Sequence, residues 1–442
     1  MKTFIASERL LLLGFFISVI TVGAILLNLP FSWNPGAEHG ILDGIFTSVS
    51  AVCVTGLTTV PTSSLSIFGQ WVLLALIQFG GLGIITITTL YLVLPWARIS
   101  FKNTRIIKEF FLEKVENKPR KIIGNILLYT FLIEGIGIIL LWLFQGAHPD
   151  RFFYALFHGV SAFCNAGFGL EDDSLLSWQS NPGALTIISL LIILGGLGWV
   201  VIKNIFQKIL KKTRHLSFHT MVVLFTTAIL IFSGFLIFFI IERISAPPSR
   251  PWWLDLGNSI FYSITTRTAG FNVLFPSDMS PISQILSIPF MIIGASPGST
   301  GGGVKTTTFV LFFLFVLRGM DEDDTRLALG EHRILRETVQ KAAVIFIRYF
   351  ILYLISSLIL YSVERVQNSH LTFIQILFET ASAFGTVGLS LDTTSHLSVT
   401  GKWIIILNMF VGRVGLLAFS LSSFSREKHF TIKKPRGEVM IG

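Results

Sequence analysis

Residues 385–391 read Gly-Thr-Val-Gly-Leu-Ser-Leu, and three other stretches share their character: VTGLTTV at 54–60, CNAGFGL at 164–170 and TRTAGFN at 266–272. Each is a small or polar glycine turn that follows an apolar or aromatic segment, near 41–54, 150–163, 254–266 and 371–383. Those segments have the length of re-entrant or buried helices, because crossing a bilayer core takes about 20 apolar residues. Charge-poor stretches flank them, and full spans are expected near 8–28, 67–94, 122–144, 184–205, 218–241, 281–316, 342–363 and 400–424. The order long helix, short helix, polar glycine turn, long helix therefore occurs four times. The turn glycines Gly56, Gly167, Gly270 and Gly388 are 111, 103 and 118 residues apart. A second mark follows each, Gly80, Gly195, Gly294 and Gly412, at offsets of 24, 28, 24 and 24. Such a register is the signature of an internal repeat.

Composition agrees. Among 442 residues, 34 Lys+Arg face 25 Asp+Glu (net charge +9), only 13% are charged, 52% are hydrophobic and 41 are Phe. A soluble domain carries about one quarter charged residues, so soluble globular, disordered and collagen-like classes are excluded and a polytopic membrane protein remains. The basic residues sit in short blocks between apolar runs, which argues against nucleic-acid binding. Cys53 and Cys164 each lie in an apolar segment and form neither a disulfide framework nor a metal site. The first apolar stretch is read as a retained helix and not as a cleaved signal. Residues 98–121 carry eight Lys/Arg against three Glu, and 203–214 carry five and no acid. The positive-inside rule then places both termini in the cytoplasm and the glycine turns outside. The mixed loop 318–341 has a helical look. The expected division is repeat A at 1–97, a cytoplasmic link and repeat B at 98–214, repeat C at 215–320, a link and repeat D at 321–425, and a tail at 426–442.

Irregular backbone at membrane depth is tolerated only inside protein or along a water-filled path. Four such turns around one axis make the arrangement in which backbone carbonyls replace an ion's hydration shell. Glycine adopts the dihedrals that aim successive carbonyls inward. Thr, Ser, Asn, Val and Phe surround these glycines and no ring of carboxylates occurs, so a monovalent cation fits better than a divalent one. The bland reading is close helix packing through small residues; it suits one isolated turn and suits four in register poorly.

The segment 281–316 is 36 residues long, too many for one straight span of about 20. Its middle, GASPGSTGGGVKTTT, holds five glycines and Pro297, which a continuous helix tolerates badly. Two half-helices joined by a loop from Gly294 to Gly303, lying below the turns, are expected; the alternative is a kinked helix.

The strings VTGLTTV, FCNAGFGL, TTRTAGFN and SAFGTVGLS, with GASPGSTGGGVKTTTF at 294–309, resemble the membrane subunit of the Ktr/Trk-type potassium uptake systems over essentially the whole chain. The resemblance implies an all-α polytopic membrane fold of four helix–pore-helix–helix repeats around one pseudo-four-fold pore, in a bacterial cell inner membrane. Eight spans resemble the Ktr branch more than the longer Trk branch. It implies a potassium filter built by Thr55, Gly56, Asn165, Ala166, Gly167, Ala269, Gly270, Thr386, Val387 and Gly388, through backbone carbonyls. Only Thr386–Val387–Gly388 approaches the TVG pattern of potassium channels, so looser selectivity stays open. The resemblance also implies a gating loop of Gly294, Ala295, Ser296, Pro297, Gly298, Ser299, Thr300, Gly301, Gly302 and Gly303. It further implies potassium as the transported ion, sodium as a candidate coupled or activating ion, and no organic cofactor on this chain. The implied partners are a second copy of the chain, with one pore each, and a cytoplasmic nucleotide-binding ring docked on the basic loops and tail.

Arg413, in the middle of the last expected span, is costly at that depth and by default functional. It either pairs with a carboxylate or carbonyls to hold the bundle, or faces the path and couples gate to filter; the resemblance favours the second. Lys305 either repels cations or snorkels to the interface. Arg267 is expected behind the filter, bonded to carbonyls or to an acid such as Glu379. Glu379 and Glu134 are helix partners or counter-charges for the arginines. Asp43 and Asp255 read as helix N-terminal charges, and His158 as a packing residue. No nucleotide-binding or catalytic motif occurs in a fitting context. The rivals to a channel-like pore are a secondary symporter, whose broken helices recur in related repeats, and more remotely an intramembrane enzyme. The sequence suggests a full break in the third repeat alone.

Overall fold

The computed structural model of the chain describes residues 2–93, 119–146, 150–245, 251–318, 326–329, 332–367 and 370–415. Along the stretch expected as repeat A lie α1 (Lys2–Leu27), the short α2 (Ile41–Val52) and α3 (Ile67–Val93), and the other expected repeats are labelled likewise. Repeat B comprises α4 (Pro119–Phe144), the short α5 (Arg151–Cys164), α6 (Pro182–Leu197) and α7 (Trp199–Ile209). In repeat C, α8 (Phe218–Ser245) precedes the short α9 (Trp252–Thr265), α10 (Pro281–Ile292) and α11 (Thr306–Arg318). A β-hairpin, β1 (Arg326–Leu329) with β2 (His332–Leu335), leads into repeat D: α12 (Arg336–Val366), the short α13 (Phe373–Gly385) and α14 (Val399–Phe410), continued by a π turn at Val411–Gly415.

The second long helix of every repeat begins the same way. A one-turn 3-10 segment precedes it, at 62–64, 176–178, 276–278 and 394–396. A capping oxygen then accepts from a first-turn N–H: Ser66 from Gly69 (3.2 Å), Asn181 from Ala184 (3.1 Å), Ser280 from Ser283 (3.3 Å) and Ser398 from Gly401 (3.0 Å). These caps satisfy donors that a helix start otherwise leaves open. The helices at Ile123–Phe144, Phe218–Ser245 and Arg336–Val366 are long and apolar enough to cross a membrane by themselves. They expose Ile139, Phe232 and Ile351 outward, as a lipid-facing surface does.

Two expectations need correction. The span near 184–205 is bent by 105° between α6 and α7, so the break is not confined to the third repeat. Gly198 makes the turn at φ 82° and ψ 151°, a region essentially closed to residues with a side chain. The helical look of 318–341 fails at 326–329 and 332–335, which pair as antiparallel strands with Arg326 opposite Leu335; the two residues that separate them in the sequence, Gly330–Glu331, are a glycine-first spacing that suits a hairpin. Most of the basic link 98–121, the end of the expected span 400–424 and the tail 426–442 lie outside the described residues, as do the expected boundaries at 97/98, 320/321 and 425/426.

Candidate functional site

The four short helices aim their C-terminal ends at one point. Beyond each end the backbone repeats a pattern: a non-glycine residue at positive φ (Val54, Asn165, Thr268, Thr386), one residue, then a glycine at positive φ (Gly56 94°, Gly167 71°, Gly270 78°, Gly388 99°). The glycines form a closed cycle. A Cβ on Gly56 would lie 2.6 Å from the carbonyl oxygen of Ala166, and one on Gly167 would lie 2.7 Å from that of Ala269. One on Gly270 would strike the oxygen of Val387, and one on Gly388 that of Thr55, returning to the start. Thr55, Ala166, Ala269 and Val387 each immediately precede a ring glycine. The cycle thus holds a carbonyl from every repeat at positions where only a hydrogen fits on the neighbouring Cα. The buried hydroxyls of Thr55, Thr268 and Thr386 have no hydrogen-bond partner in the structure. A ring of carbonyls and open hydroxyls offers oxygen alone, the donor set for a weakly hydrated monovalent cation.

Hydroxyls brace the ring from behind, and these residues escaped the sequence reading. Ser50 Oγ accepts from Gly56 N–H (3.1 Å), Ser382 Oγ from Gly388 N–H (3.0 Å) and Ser161 Oγ from Phe168 N–H (3.1 Å). Thr265 Oγ1 donates to the Phe271 carbonyl (2.8 Å) in repeat C. The signal was present as Ser-Ala followed by four residues and the ring glycine, in SAVCVTG, SAFCNAG and SAFGTVG.

Outside the ring opens a cavity of about 240 Å³ lined by all four glycines together with Glu171, Asp172 and Asp392. Burial raises the Glu171 carboxyl, but hydrogen bonds from Tyr154 and Ser177 and the nearby His158 outweigh it and hold the group below its ordinary range. Asp173 is pushed up by burial and by the charge of Glu171.

Inside the ring lies the 294–303 loop. A Cβ on Gly301 would meet the Thr268 hydroxyl, and one on Gly302 that of Thr386, so the loop packs directly beneath the ring. It is an ordered element: Gly294 N–H donates to Val304 O (2.9 Å), Val304 N–H to Ile292 O (3.1 Å) and Lys305 Nζ to Gly301 O (2.7 Å). Arg413 is buried in the π turn, a helix distortion frequent at functional sites. It donates through Nη1 to Thr300 O on the loop and through Nη2 to Gly80 O on α3 (2.8 Å).

The remaining charges sort plainly. Arg267 donates to Gly294 O at 3.3 Å, taking the carbonyl option, while Glu379 accepts from Ser390 (2.7 Å) and Thr394. Glu134 on α4 accepts from Gln78 on α3 at 3.2 Å, so it is a helix partner. Asp43 accepts from Gly40 N–H at 2.9 Å and also pairs with Lys402 at 3.1 Å; Asp255 pairs with Arg243 at 2.9 Å. His158 is wholly buried beside Tyr154 and Trp178.

The family model of the TrkH cation transport proteins matches residues 12–430. The chain belongs to that family. It is therefore a multi-pass transport protein of the plasma membrane, the inner membrane in bacteria, and not an enzyme. It is 35% identical to the potassium/sodium uptake protein NtpJ of Enterococcus hirae, over 98% of this chain and 97% of that protein. It is 34% identical to the Ktr system potassium uptake protein B of Bacillus subtilis, over 98% and 96%. The solved potassium transporter TrkH of Vibrio parahaemolyticus superposes with TM-score 0.71 at 20% identity, over 95% of this chain and 84% of that one, a likeness of fold.

Proposed function

We propose that the chain translocates potassium through one pore built by its four repeats, with eight spans, four re-entrant pore helices and both termini cytoplasmic. The observation that carries this reading is the closed cycle 56, 167, 270, 388, in which each glycine admits the carbonyl preceding the next. Thr55, Ala166, Ala269 and Val387 supply filter carbonyls, with the residues at 165 and 386 turning the backbone. The loop 294–303 is the gate, Lys305 and Arg413 hold it, and Arg267 and Glu379 fix its surroundings and those of the ring. Potassium is the cargo, consistent with the names of the uptake proteins this chain resembles; the potassium/sodium protein among them supports a coupling or activating role for sodium. The working unit is a homodimer regulated by a cytoplasmic nucleotide-binding ring.

The test is flux of potassium, rubidium and sodium into liposomes holding the purified chain. Saturable, potassium-preferring flux that runs down its gradient supports the pore. The bend at Gly198, next to the break in repeat C, favours a second reading, a symporter with alternating access. Obligatory one-to-one sodium movement and trans-stimulated exchange would select it over the pore.

A further inference from the structure

The carbonyls of Gly195, Gly196 and Leu197 end α6. In a continuous helix they would accept from the N–H groups of Trp199, Val200 and Val201, four residues on. The turn at Gly198 takes those donors away, and the loop supplies replacements. Thr300 N–H donates to Gly195 O (3.3 Å), Ser296 N–H to Gly196 O (3.0 Å) and Ser296 Oγ to Leu197 O. In return Trp199 N–H donates to Gly298 O at 3.2 Å. The loop also fills the space that a side chain at the turn would need: a Cβ on Gly198 would lie 2.7 Å from Pro297 O. Bent helix and seated loop satisfy each other.

The same string, Gly-Gly-Leu-Gly, stands at 80–83, and there α3 runs through it unbroken to Val93. The sequence itself therefore tolerates a continuous helix, and the loop decides between the two outcomes. A void of about 20 Å³, bounded by Phe163, Gly195, Trp199 and Ser299, lies against the joint, so the junction is not close-packed.

We propose that the α6 carbonyls are the seat of the gate and that opening exchanges their partners. α6 and α7 become one helix, Trp199, Val200 and Val201 take back the three carbonyls, and the loop, deprived of its acceptors, leaves the path. This inference rests on the reading of 294–303 as the gate. Each carbonyl keeps one hydrogen bond in both arrangements, the condition for two discrete states close in energy. The arm that swings is α7 with the basic residues Lys208, Lys211, Lys212 and Arg214 at its end, which gives a cytoplasmic event its lever.

The experiment places spin labels at Leu190 and Ile209, both exposed on the outside of the bundle, in the full chain in nanodiscs; the native cysteines are buried. The bent pair holds these helix positions roughly 18 Å apart, and a continuous helix would hold them roughly 29 Å apart. Deleting Ser296–Gly301 removes all the loop's donors. The expected result is faster basal flux together with the longer distance. Faster flux with an unchanged short distance overturns the seat and leaves the gate reading intact; flux no faster than the parent overturns the gate reading and the seat with it. Two variants of the intact chain add a second measure. Ser296→Ala removes one donor, and Gly198→Ala favours helix continuation; each should raise basal flux about two- to ten-fold, the worth of one hydrogen bond. Parental flux in Ser296→Ala at parental insertion counts against the seat even if Gly198→Ala does not insert.

Discussion

Gly80, Gly195 and Gly412 each press against the carbonyl of a residue four before a ring glycine, namely Val52, Phe163 and Phe384. In repeats A, B and D the second long helix thereby locks onto its own short helix. Gly294, the same mark in repeat C, meets Gly302 instead, because the chain has turned back on itself there. Outside, at the ring, the four repeats are interchangeable: same backbone signs, same carbonyl, same spacing. Inside, one of them has spent its helix on a loop. The ring keeps one backbone pattern in all four, whereas beneath it the pattern is broken by the loop 294–303 and by the 105° bend at Gly198; on the proposed reading, equal oxygens serve coordination and the departure from symmetry serves the gate.

The outer half of this comparison breaks most visibly with Gly388→Ala. The residue sits at φ 99° with the Thr55 carbonyl where a Cβ would go, and positive φ of this kind strains a non-glycine residue by about 1–3 kcal/mol. We expect potassium flux per inserted protein to fall by about ten-fold or more, or potassium preference to vanish. Gly270→Ala should behave alike. Parental affinity and selectivity in both would end the account of the ring.

Next comes the same substitution at corresponding marks. Gly412→Ala drives a methyl into the Phe384 carbonyl and should lower thermal stability by about 1–3 kcal/mol, as overpacking does, with flux falling too. Gly294→Ala strikes the Gly302 carbonyl and should instead unseat the loop and raise basal flux. If both only destabilise, the inner half of repeat C is not special.

Arg413 tests how the two halves are joined, because it bonds the loop at Thr300 and α3 at Gly80. Arg413→Gln removes the charge but keeps donors; Arg413→Lys keeps the charge but loses the planar fork. Charge repulsion as the main effect gives faster flux in Gln and near-parental flux in Lys. Two hydrogen bonds as the main effect give a leak in both, which the two-armed geometry favours. Lower yield of both with normal flux per folded molecule would make Arg413 a bundle staple alone.

Much of this was legible in the sequence, and for a physical reason. The short helices and ring glycines follow from hydrophobic length and from a backbone geometry that demands glycine, both local properties. The hydroxyl braces were just as local, yet Ser50, Ser161 and Ser382 keep a six-residue offset that repeat C abandons, since Thr265 stands five before Gly270. The bend at Gly198 was not legible at all. Gly-Gly-Leu-Gly is helix at 80–83 and a corner at 195–198, and the difference lies in donors from residues about 100 positions away in the chain. The strands at 326–329 and 332–335 were missed because RLAL and HRIL lack the apolar–polar alternation by which a strand is recognised.

The smallest expected effect concerns the mouth, where the repeats also differ. Repeat B alone follows its ring glycine with three adjacent acids, Glu171, Asp172 and Asp173, and Asp172 accepts from Ser63 of repeat A. Like-signed charge at a narrow mouth raises the local cation concentration and the rate of entry. Burial and the charge of Glu171 hold Asp173 above the ordinary aspartate range, whereas the hydrogen bonds to Glu171 outweigh its burial and hold it below the glutamate range. The sign follows: as external pH falls, Asp173 takes up its proton above the ordinary aspartate range, while Glu171 holds its charge to below the ordinary glutamate range. The mouth then loses part of its field while the ring, which has no titrating group, is untouched. We expect potassium uptake at low ionic strength to fall by about two-fold as Asp173 protonates, with no change in potassium preference, and to flatten in about 0.15 M salt, where the screening length is about 8 Å. Asp173→Asn should abolish the step and leave the uptake rate at the lower plateau. A pH step that survives both salt and Asp173→Asn would locate the titrating group deeper than the mouth.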